Sequence, residues 1–421
     1  MTTNLPDILD QIGERARFAS RLLARATSGQ KNFALEAIAD CIGRSADRIL
    51  SENDADLQGG AQRGLGSAML ERARLSPKRI ETIANSVRSV IDLEDPVGKL
   101  EKQWSRPNGL KISKVRVPIG VIGMIYESRP NVTSDAASLC LKSGNAVILR
   151  GGSESIRSNL ALAAAVNEGC KKAGLPEFSA QLVPSTDRAA VTLMAQLDRY
   201  IHLIIPRGGR SLIEAVAAAA RMPVIKHYDG VCALYVDRAA NLEMATDLAV
   251  NAKCQRPSVC NAIETLLVHE EIAPRFLPEC AGAMWDRGVE LRGDETVRKI
   301  LGPKVKIATE EDWKTEYLDL VLAVRVVRDL DDAVDHIEAN GSHHSDAIVT
   351  NDRAAADRFL RNVDSAAVFW NASTRFNDGG EFGFGAEIGI STDRIHARGP
   401  MGLEELTTYK YVVEGEGQVR R

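Results

Sequence analysis

The sequence lacks the marks of several protein classes. No apolar run approaches the roughly 18 residues that a transmembrane helix needs, and the N-terminus, Met1-Thr-Thr-Asn-Leu-Pro, has no apolar leader segment. Lysine and arginine number 53 against 57 aspartates and glutamates, so no positive field attracts nucleic acid or an anionic membrane surface. We therefore expect a cytoplasmic protein with no nucleic-acid partner and no membrane partner.

A disulfide framework and a common nucleotide-binding motif are also missing. The seven cysteines are an odd number without framework spacing, which is typical of free thiols in a reducing compartment. The chain has no Gly-x-Gly-x-x-Gly, the usual mark of a dinucleotide-binding turn. An apolar fraction of 44% is ordinary for a globular protein, and 421 residues allow two or three domains.

Strand-like and helix-like segments alternate over most of the chain. One such series covers 119–226, and a second begins at 231 and reaches 350. Parallel strands joined by helices require this alternation, so each series predicts a Rossmann-like sheet. Residues 5–50 and 76–92 show helical spacing of apolar residues instead. The fold class is therefore α/β with two such domains.

A hairpin and a tail strand fall outside both series. The turn signal Arg106-Pro-Asn-Gly109 introduces an alternating segment that ends at Val117, and 406–413 alternates in the same way. Neither segment has an obvious partner in an α/β domain. Unpaired strand edges tend to pair with another chain, so these segments are candidates for subunit contacts.

Two cysteines six residues apart raise the question of a nucleophile. Cys260 follows a Pro-Ser turn and precedes the predicted strand 264–269, whereas Cys254 has Lys253 and Arg256 nearby. Local amides or cations can lower the pKa of a thiol in either setting. The residues by themselves therefore do not decide between the two.

The sequence offers little support for a metal site. A zinc pair formed by Cys254 and Cys260 would need a second Cys or His pair at matching spacing, and none is present. The adjacent His343 and His344 have no third ligand nearby in sequence, which is more typical of loop residues. We predict no metal site.

Longer segments carry a family resemblance. Asn251-Ala-Lys-Cys-Gln-Arg-Pro-Ser-Val-Cys-Asn-Ala resembles the active-site motif of the γ-glutamyl phosphate reductases, a divergent branch of the aldehyde dehydrogenase superfamily. Four other segments match the same family: 126–133, 142–152, 204–209 and 369–376. The resemblance implies an aldehyde dehydrogenase-like fold with two Rossmann-like α/β domains and a small β oligomerisation element.

The resemblance also implies a domain order. It divides the chain into the helical part of a cofactor-binding domain (1–104), an oligomerisation hairpin (105–123), the cofactor-binding core (124–229), a catalytic thiol domain (230–388) and an oligomerisation tail (389–421). It further implies a homodimer or homotetramer.

The implied activity is the NADPH-dependent reduction of L-glutamyl 5-phosphate to L-glutamate 5-semialdehyde in proline biosynthesis. Phosphate would be released through a thioester on Cys260, with Cys254 a bystander. Asn131 would hold the oxyanion, although an Asn after a Pro is also an ordinary helix cap. The labile acyl phosphate suggests channelling from glutamate 5-kinase.

His227 stands where hydrolytic relatives carry a glutamate that activates water. The absence of that base suits a reductase, because hydrolysis would destroy its thioester intermediate. His227 could itself act as a base, or it could be a structural residue. The rival functions are a hydrolytic aldehyde dehydrogenase and a non-enzymatic binding protein on the same fold.

The cofactor and substrate residues follow by the same resemblance. Gly208 and Gly209 precede a helix whose N-terminal amides suit a pyrophosphate. Ser153 replaces an acid of NAD-preferring relatives, so Arg150 could pair with a 2′-phosphate, which favours NADPH. The complete set of expected ligand-binding residues is Arg150, Gly151, Gly152, Ser153, Gly208, Gly209 and Glu316 for the cofactor, and Arg129, His227 and Arg375 for the substrate.

Overall fold

A computed structural model describes residues 4–420 of the chain, apart from the side chain of Ala68. The chain divides into two compact units. The first runs up to Lys226 and also contains Gly383–Gly389 and the chain from Met401 onward. The second contains His227–Phe382 and Ile390–Pro400. No helix within residues 4–420 is both long and apolar enough to cross a membrane.

The elements are numbered in chain order. The helices are α1 (Leu5–Leu23), α2 (Ser28–Arg44), α3 (Ala46–Gln62), α4 (Ser67–Ala73), α5 (Pro77–Ser89), α6 (Val132–Lys142), α7 (Ile156–Lys172), α8 (Ala189–Ala195), α9 (Arg210–Ala219), α10 (Leu242–Cys254), α11 (Ala273–Trp285), α12 (Glu295–Leu301), α13 (Leu330–Asn340) and α14 (Arg353–Asn362). The strands are β1 (Leu100–Ser105), β2 (Lys111–Pro118), β3 (Val121–Tyr126), β4 (Ala146–Arg150), β5 (Ala180–Leu182), β6 (Leu203–Arg207), β7 (Cys232–Val236), β8 (Ile263–His269), β9 (Glu290–Gly293), β10 (Lys306–Ile307), β11 (Val321–Val327), β12 (Ser345–Val349), β13 (Ala367–Trp370), β14 (Ile390–Ser391), β15 (Gly399–Pro400) and β16 (Thr407–Glu414).

Helices α1 and α2 begin at well-formed caps. Asn4 accepts a hydrogen bond from the Asp7 amide at 3.0 Å, and Thr27 and Gln30 form a capping box at the start of α2. Each helix buries one apolar stripe, which includes Leu9 and Leu23 in α1. The helical spacing predicted over 5–50 is confirmed.

The sheet of the first unit has the strand order β5-β4-β3-β6, and all its pairs are parallel. Every residue of β3 and β4 is buried, as expected for a parallel sheet covered by helices on both faces. The sequence pattern also predicts a last strand of this series at 224–226, and that prediction is wrong, since no strand forms there. The chain makes only one isolated bridge there, between Val224 and Ile204, before the unit ends.

The hairpin and the tail strand pair with each other. The order β1-β2-β16 is antiparallel throughout, and β16 runs along β2 from the Thr407–Pro118 pair to the Glu414–Lys111 pair. Apart from Thr407, every residue of β16 is exposed. The predicted role of this small sheet in subunit contacts stays a prediction.

The second unit has a seven-stranded parallel sheet in the order β10-β9-β11-β8-β7-β12-β13. Its central strands β7, β8 and β12 are buried along their whole length. The sequence analysis missed β9, β10 and β13, which have only two to four residues each, too few to show a period.

Candidate active site

The amino-terminal ends of three neighbouring strands converge in the second unit. Parallel strands that lie side by side begin at the same edge of a sheet, so the loops that enter β7, β8 and β12 meet there. These loops carry His227, Cys260 and His344 respectively. Each of the three offers one potential ligand atom, and these atoms all lie within 4.8 Å of one another.

The turn before β7 packs directly on the predicted nucleophile. Gly230 is buried, and a Cβ built on it would lie only 2.5 Å from Cys260 Cα. Its amide donates to Glu316 Oε1 at 2.9 Å. Glu316, expected to bind a ribose, thus also fixes the turn that supports Cys260.

A buried ion pair supports the segment that carries Glu316. Lys253 Nζ lies 2.5 Å from Glu264 Oε2, and both side chains are fully buried. The amide of Leu318 donates to the other oxygen of Glu264 at 3.3 Å. Burial raises the pKa of Glu264 to about 7 even though Lys253 opposes that shift. Neither partner was identified from the sequence.

His227 has a defined tautomer. Its Nδ1 lies 2.9 Å from the carbonyl oxygen of Ile390. A carbonyl can only accept, so Nδ1 carries the hydrogen in the neutral ring and Nε2 carries the lone pair. The ring meets that of His344 edge to face at a centroid distance of 5.6 Å. His227 therefore has a basic nitrogen as well as a fixed orientation.

His344 lies in the loop before β12, as predicted from the sequence, but it is fully buried there. Its Nδ1 lies 2.8 Å from Ser345 Oγ and 3.7 Å from Cys232 Sγ. The Cys232 thiol in turn donates to the carbonyl oxygen of Cys260 at 3.1 Å. This buried network links His344 to the backbone of the predicted nucleophile.

Arg375 lies beside Cys260. It donates to Asn261 Oδ1 and, from Nε, to Gln255 Oε1 at 2.8 Å. Burial lowers the pKa of Arg375, and a neighbouring Arg256 adds to this, whereas the charge of Cys260 acts in the opposite direction. The Arg375 cation therefore interacts favourably with a Cys260 thiolate.

Cys254 belongs to the core. It is the last residue of α10, and its sulfur lies 3.9 Å from the sulfur of Met284. Burial raises the pKa of the Cys254 thiol, although Arg287 and Lys253 oppose the shift. The raised pKa disfavours the thiolate, which is the nucleophilic form.

In the first unit, Asn131 lies at the start of α6 but does not cap it. Within the described chain its side chain makes no capping hydrogen bond and instead donates to Asp135 Oδ2 at 2.8 Å. The ordinary cap considered from the sequence is therefore not formed. Burial raises the pKa of Asp135 to about 6, with Asn131 opposing the shift. Arg129, two residues earlier, is exposed in the loop after β3.

The end of β4 and the loop after it carry the residues that were expected to bind the cofactor's adenosine. Arg150 is 6% exposed, and Nη2 donates to the carbonyl oxygen of Asp187 at 3.2 Å. Its Nε is buried without a hydrogen-bond partner among the described residues. Ser153 is exposed, while Glu154 accepts from the amide and hydroxyl of Ser128. The Glu154 carboxylate is therefore held by hydrogen bonds from Ser128.

Gly151 and Gly152 are buried, and side chains at either position would meet close neighbours. A Cβ on Gly151 would lie 3.0 Å from the Tyr126 ring, and one on Gly152 would collide with the Glu154 carboxylate. Neither position therefore has room for a side chain unless its neighbours move.

The turn before α9 is open on one side. A Cβ on Gly209 would meet nothing within 4 Å among the described residues, whereas one on Gly208 would meet Leu212 at 2.7 Å. The Gly209 amide donates to Glu127 Oε2 at 3.0 Å. A carboxylate thus occupies the helix N-terminus that the sequence analysis assigned to a pyrophosphate. Glu127 must move for an anionic ligand to use this amide, and no motif pointed to it.

Comparisons with known proteins agree with this geometry. The sequence model described as "Aldehyde dehydrogenase family" matches residues 14–312. The γ-glutamyl phosphate reductase of Caldanaerobacter subterraneus subsp. tengcongensis is 55% identical over 408 residues, which cover 97% of this chain and 98% of the relative. The chain belongs to the aldehyde dehydrogenase family, in its γ-glutamyl phosphate reductase branch.

Two further members of this branch extend the match. The γ-glutamyl phosphate reductase of Anaeromyxobacter dehalogenans is 56% identical over 413 residues and is covered, like this chain, to 97%. The crystal structure of the enzyme of that name from Thermotoga maritima has a TM-score of 0.97 at 47% identity, covering 99% of this chain and all of the other. The predicted aldehyde dehydrogenase-like fold is therefore confirmed.

Proposed function

We propose that the protein reduces L-glutamyl 5-phosphate to L-glutamate 5-semialdehyde with NADPH, releasing phosphate, in proline biosynthesis. The names of the relatives at 55% and 56% identity support the substrate and the direction. The single observation that carries the mechanism is the cluster of Cys260 with His227, because a histidine stands where a hydrolytic relative would carry glutamate.

Cys260 would be the nucleophile. Its thiolate attacks the acyl carbon, a carbon–sulfur bond forms, and the bond to the phosphate oxygen breaks, so that phosphate leaves. The Arg375 cation stabilises the thiolate before attack. The Nε2 of His227 would accept the thiol proton, since the Ile390 carbonyl fixes the hydrogen on Nδ1.

NADPH, when bound, would supply the hydride that reduces the thioester to the aldehyde level. Arg150, Gly151, Gly152, Ser153, Gly208 and Gly209 would bind its adenosine and pyrophosphate. The Arg150 cation and the exposed Ser153 support a 2′-phosphate, since position 153 carries no carboxylate. Glu316 would bind the nicotinamide ribose, and Arg129 the substrate. Asn131 would stabilise the oxyanion, a role that rests on the family resemblance.

The deciding experiment runs the reaction backward. With semialdehyde and NADP⁺ but neither phosphate nor arsenate, we expect one burst of NADPH of about one equivalent per site, followed by a stall at the acyl-enzyme. Phosphate should restore steady turnover, because it attacks the thioester in the reverse of the biosynthetic step. Steady NADPH formation in phosphate-free buffer, with glutamate as product, would establish the hydrolytic rival. No NADPH at all under either condition would favour a non-enzymatic protein.

The small sheet of β1, β2 and β16 supports the proposal that the protein forms an oligomer. The exposed strand β16 and the hairpin beside it would join a partner subunit, giving a homodimer or homotetramer. A solution mass equal to one chain at micromolar concentration, measured by light scattering, would contradict this. Cytoplasmic location and channelling from glutamate 5-kinase belong to the same proposal, and co-migration of the two enzymes in a sizing column tests the second.

A further inference from the structure

The cluster at the start of β7, β8 and β12 has the composition of a zinc site. A thiol and two imidazoles present ligand atoms within 4.8 Å of one another. We propose that His227, Cys260 and His344 bind Zn²⁺, with a fourth position left open. This inference goes beyond the reductase activity and does not depend on it, because it concerns metal binding to the protein alone.

The ligand types match the metal. Thiolate sulfur and imidazole nitrogen are the ligands that zinc prefers, and three protein ligands with one open position are a common arrangement. Carboxylates add favourable charge, since both Glu316 and Asp346 interact electrostatically with His344.

Both histidines have the supporting contacts of metal ligands. A ligating imidazole usually donates its other N–H to a carbonyl, a carboxylate or another acceptor, which fixes the ring. His227 Nδ1 donates to the Ile390 carbonyl, so Nε2 has the lone pair that a metal uses. In the tautomer with hydrogen on His344 Nδ1, that nitrogen donates to Ser345 Oγ, and Nε2 becomes the ligand nitrogen.

Only small side-chain movements are needed. Bonds of about 2.1 Å to nitrogen and about 2.3 Å to sulfur place tetrahedral ligand atoms roughly 3.5 Å apart. The ligand atoms, which now lie up to 4.8 Å apart, must therefore approach one another by roughly 1 Å when the metal binds. Cys260 and His227 are only half-buried and lie outside helices and strands, so both can make this adjustment.

Metal binding would hold the Cys260 thiolate in a coordinate bond. No redox change is involved: the thiol proton passes to solvent, and the sulfur lone pair binds the metal. The thiolate is then removed from acyl transfer until a chelator takes the metal away. Zinc would thus protect or silence the same sulfur that the proposed reaction uses.

Co²⁺ is the probe for the test, because a cobalt–thiolate bond gives a charge-transfer absorption band that imidazole alone does not. The purified full-length protein, stripped with a chelator, is titrated anaerobically with Co²⁺. We expect one tetrahedral Co²⁺ per chain with this band, and loss of the spectrum when Zn²⁺ is added. Cys260→Ser should abolish the charge-transfer band. His227→Gln and His344→Gln should each weaken Co²⁺ binding by about tenfold or more.

Matched controls come from the neighbouring residues. Cys254→Ser and His343→Gln remove one thiol and one imidazole that lie outside the cluster, and both variants should bind Co²⁺ as the unaltered protein does. The proposal is overturned if the band persists in Cys260→Ser, or if His227→Gln binds Co²⁺ normally. Because His344 is fully buried, a thermal melting curve checks that His344→Gln is still folded. If His344→Gln is unfolded, the result for His227→Gln alone decides the test. None of these results alters the outcome of the phosphate experiment.

Discussion

Gly230 lies so close to Cys260 that a Cβ built on it would be 2.5 Å from Cys260 Cα and closer still to its carbonyl oxygen. Such distances cannot exist between real atoms, so any side chain at position 230 would displace the turn or the Cys260 backbone. The Gly230 amide also holds Glu316. One glycine therefore fixes the positions of a predicted nucleophile and a predicted cofactor ligand.

Gly230→Ala should therefore lower kcat/KM by about a hundredfold or more, because a displacement of about 1 Å at a reacting group can cost that much. Steady-state kinetics with acyl phosphate or, in reverse, with semialdehyde and phosphate measure the loss. Gly282→Ala is the matched control, since a Cβ there meets nothing within 4 Å among the described residues. Equal activity in the two variants would show that the close packing has no catalytic consequence.

Cys260→Ser should abolish turnover while cofactor binding persists, because a hydroxyl is a far weaker nucleophile than a thiolate at neutral pH. Cys254→Ser should retain most activity, since that thiol packs against Met284 and its pKa is raised by burial. Kinetics and fluorescence titration with NADPH separate the two effects. The assignment fails if Cys254→Ser is the inactive variant.

Ser153→Glu should weaken NADPH binding more than NADH binding. A carboxylate at this exposed position would repel a 2′-phosphate, at a cost of about 1–3 kcal/mol, or roughly tenfold to hundredfold in affinity. Dissociation constants for the two cofactors provide the measurement. Ser51→Glu, exposed on α3, is the control and should change neither. Equal losses with both cofactors would place Ser153 away from the ribose.

Asp135→Asn should stabilise the protein increasingly as pH rises. Because burial raises the folded-state pKa of Asp135 to about 6, its ionisation is harder in the folded chain than in the unfolded one. The neutral Asp135 carboxyl therefore contributes to the free energy of unfolding at acid pH, and this contribution is lost as pH rises through about 6. The amide variant does not titrate, and its oxygen can still accept from Asn131.

The variant's advantage in unfolding free energy should therefore grow by about 1 kcal/mol between about pH 5 and about pH 7.5, since one pKa unit corresponds to about 1.4 kcal/mol. Denaturant unfolding at a series of pH values measures it. Asp54→Asn, on the exposed surface of α3, should show no such trend. A pH-independent difference for Asp135→Asn would mean that its carboxylate is not buried in solution.

The sequence predicted the strands around the cluster but not their adjacency. The alternation placed one strand after His227, one after Cys260 and one after His344, and all three are present. The local sequence pattern does not predict that β8, β7 and β12 are neighbours in the sheet, because strand order is decided by long-range packing. His344 was correctly assigned to a loop, but its burial beside Cys232 and its closeness to Cys260 depend on this strand order and were not predicted.

The family motif identified Cys260 and Asn131 by position, but their partners required coordinates. Asp135, four residues after Asn131, could have been suggested by helical spacing, since such residues share a helix face. Glu127 could not, because its contact with Gly209 joins the ends of two different strands. The short strands β9 and β13 were missed because four residues show no usable period.

The pairing of β16 with β2 has a consequence for synthesis on the ribosome. Translation delivers β2 well before β16, so one edge of the hairpin stays uncovered in the nascent chain until β16 has been made. That edge strand carries Lys111, Lys114 and Arg116, the last two of which bind Glu101 on β1. Charges of one sign along an open edge oppose pairing with another hairpin of the same kind. On a crowded polysome, the basic residues of β2 would therefore keep neighbouring nascent chains apart until each has made its own β16.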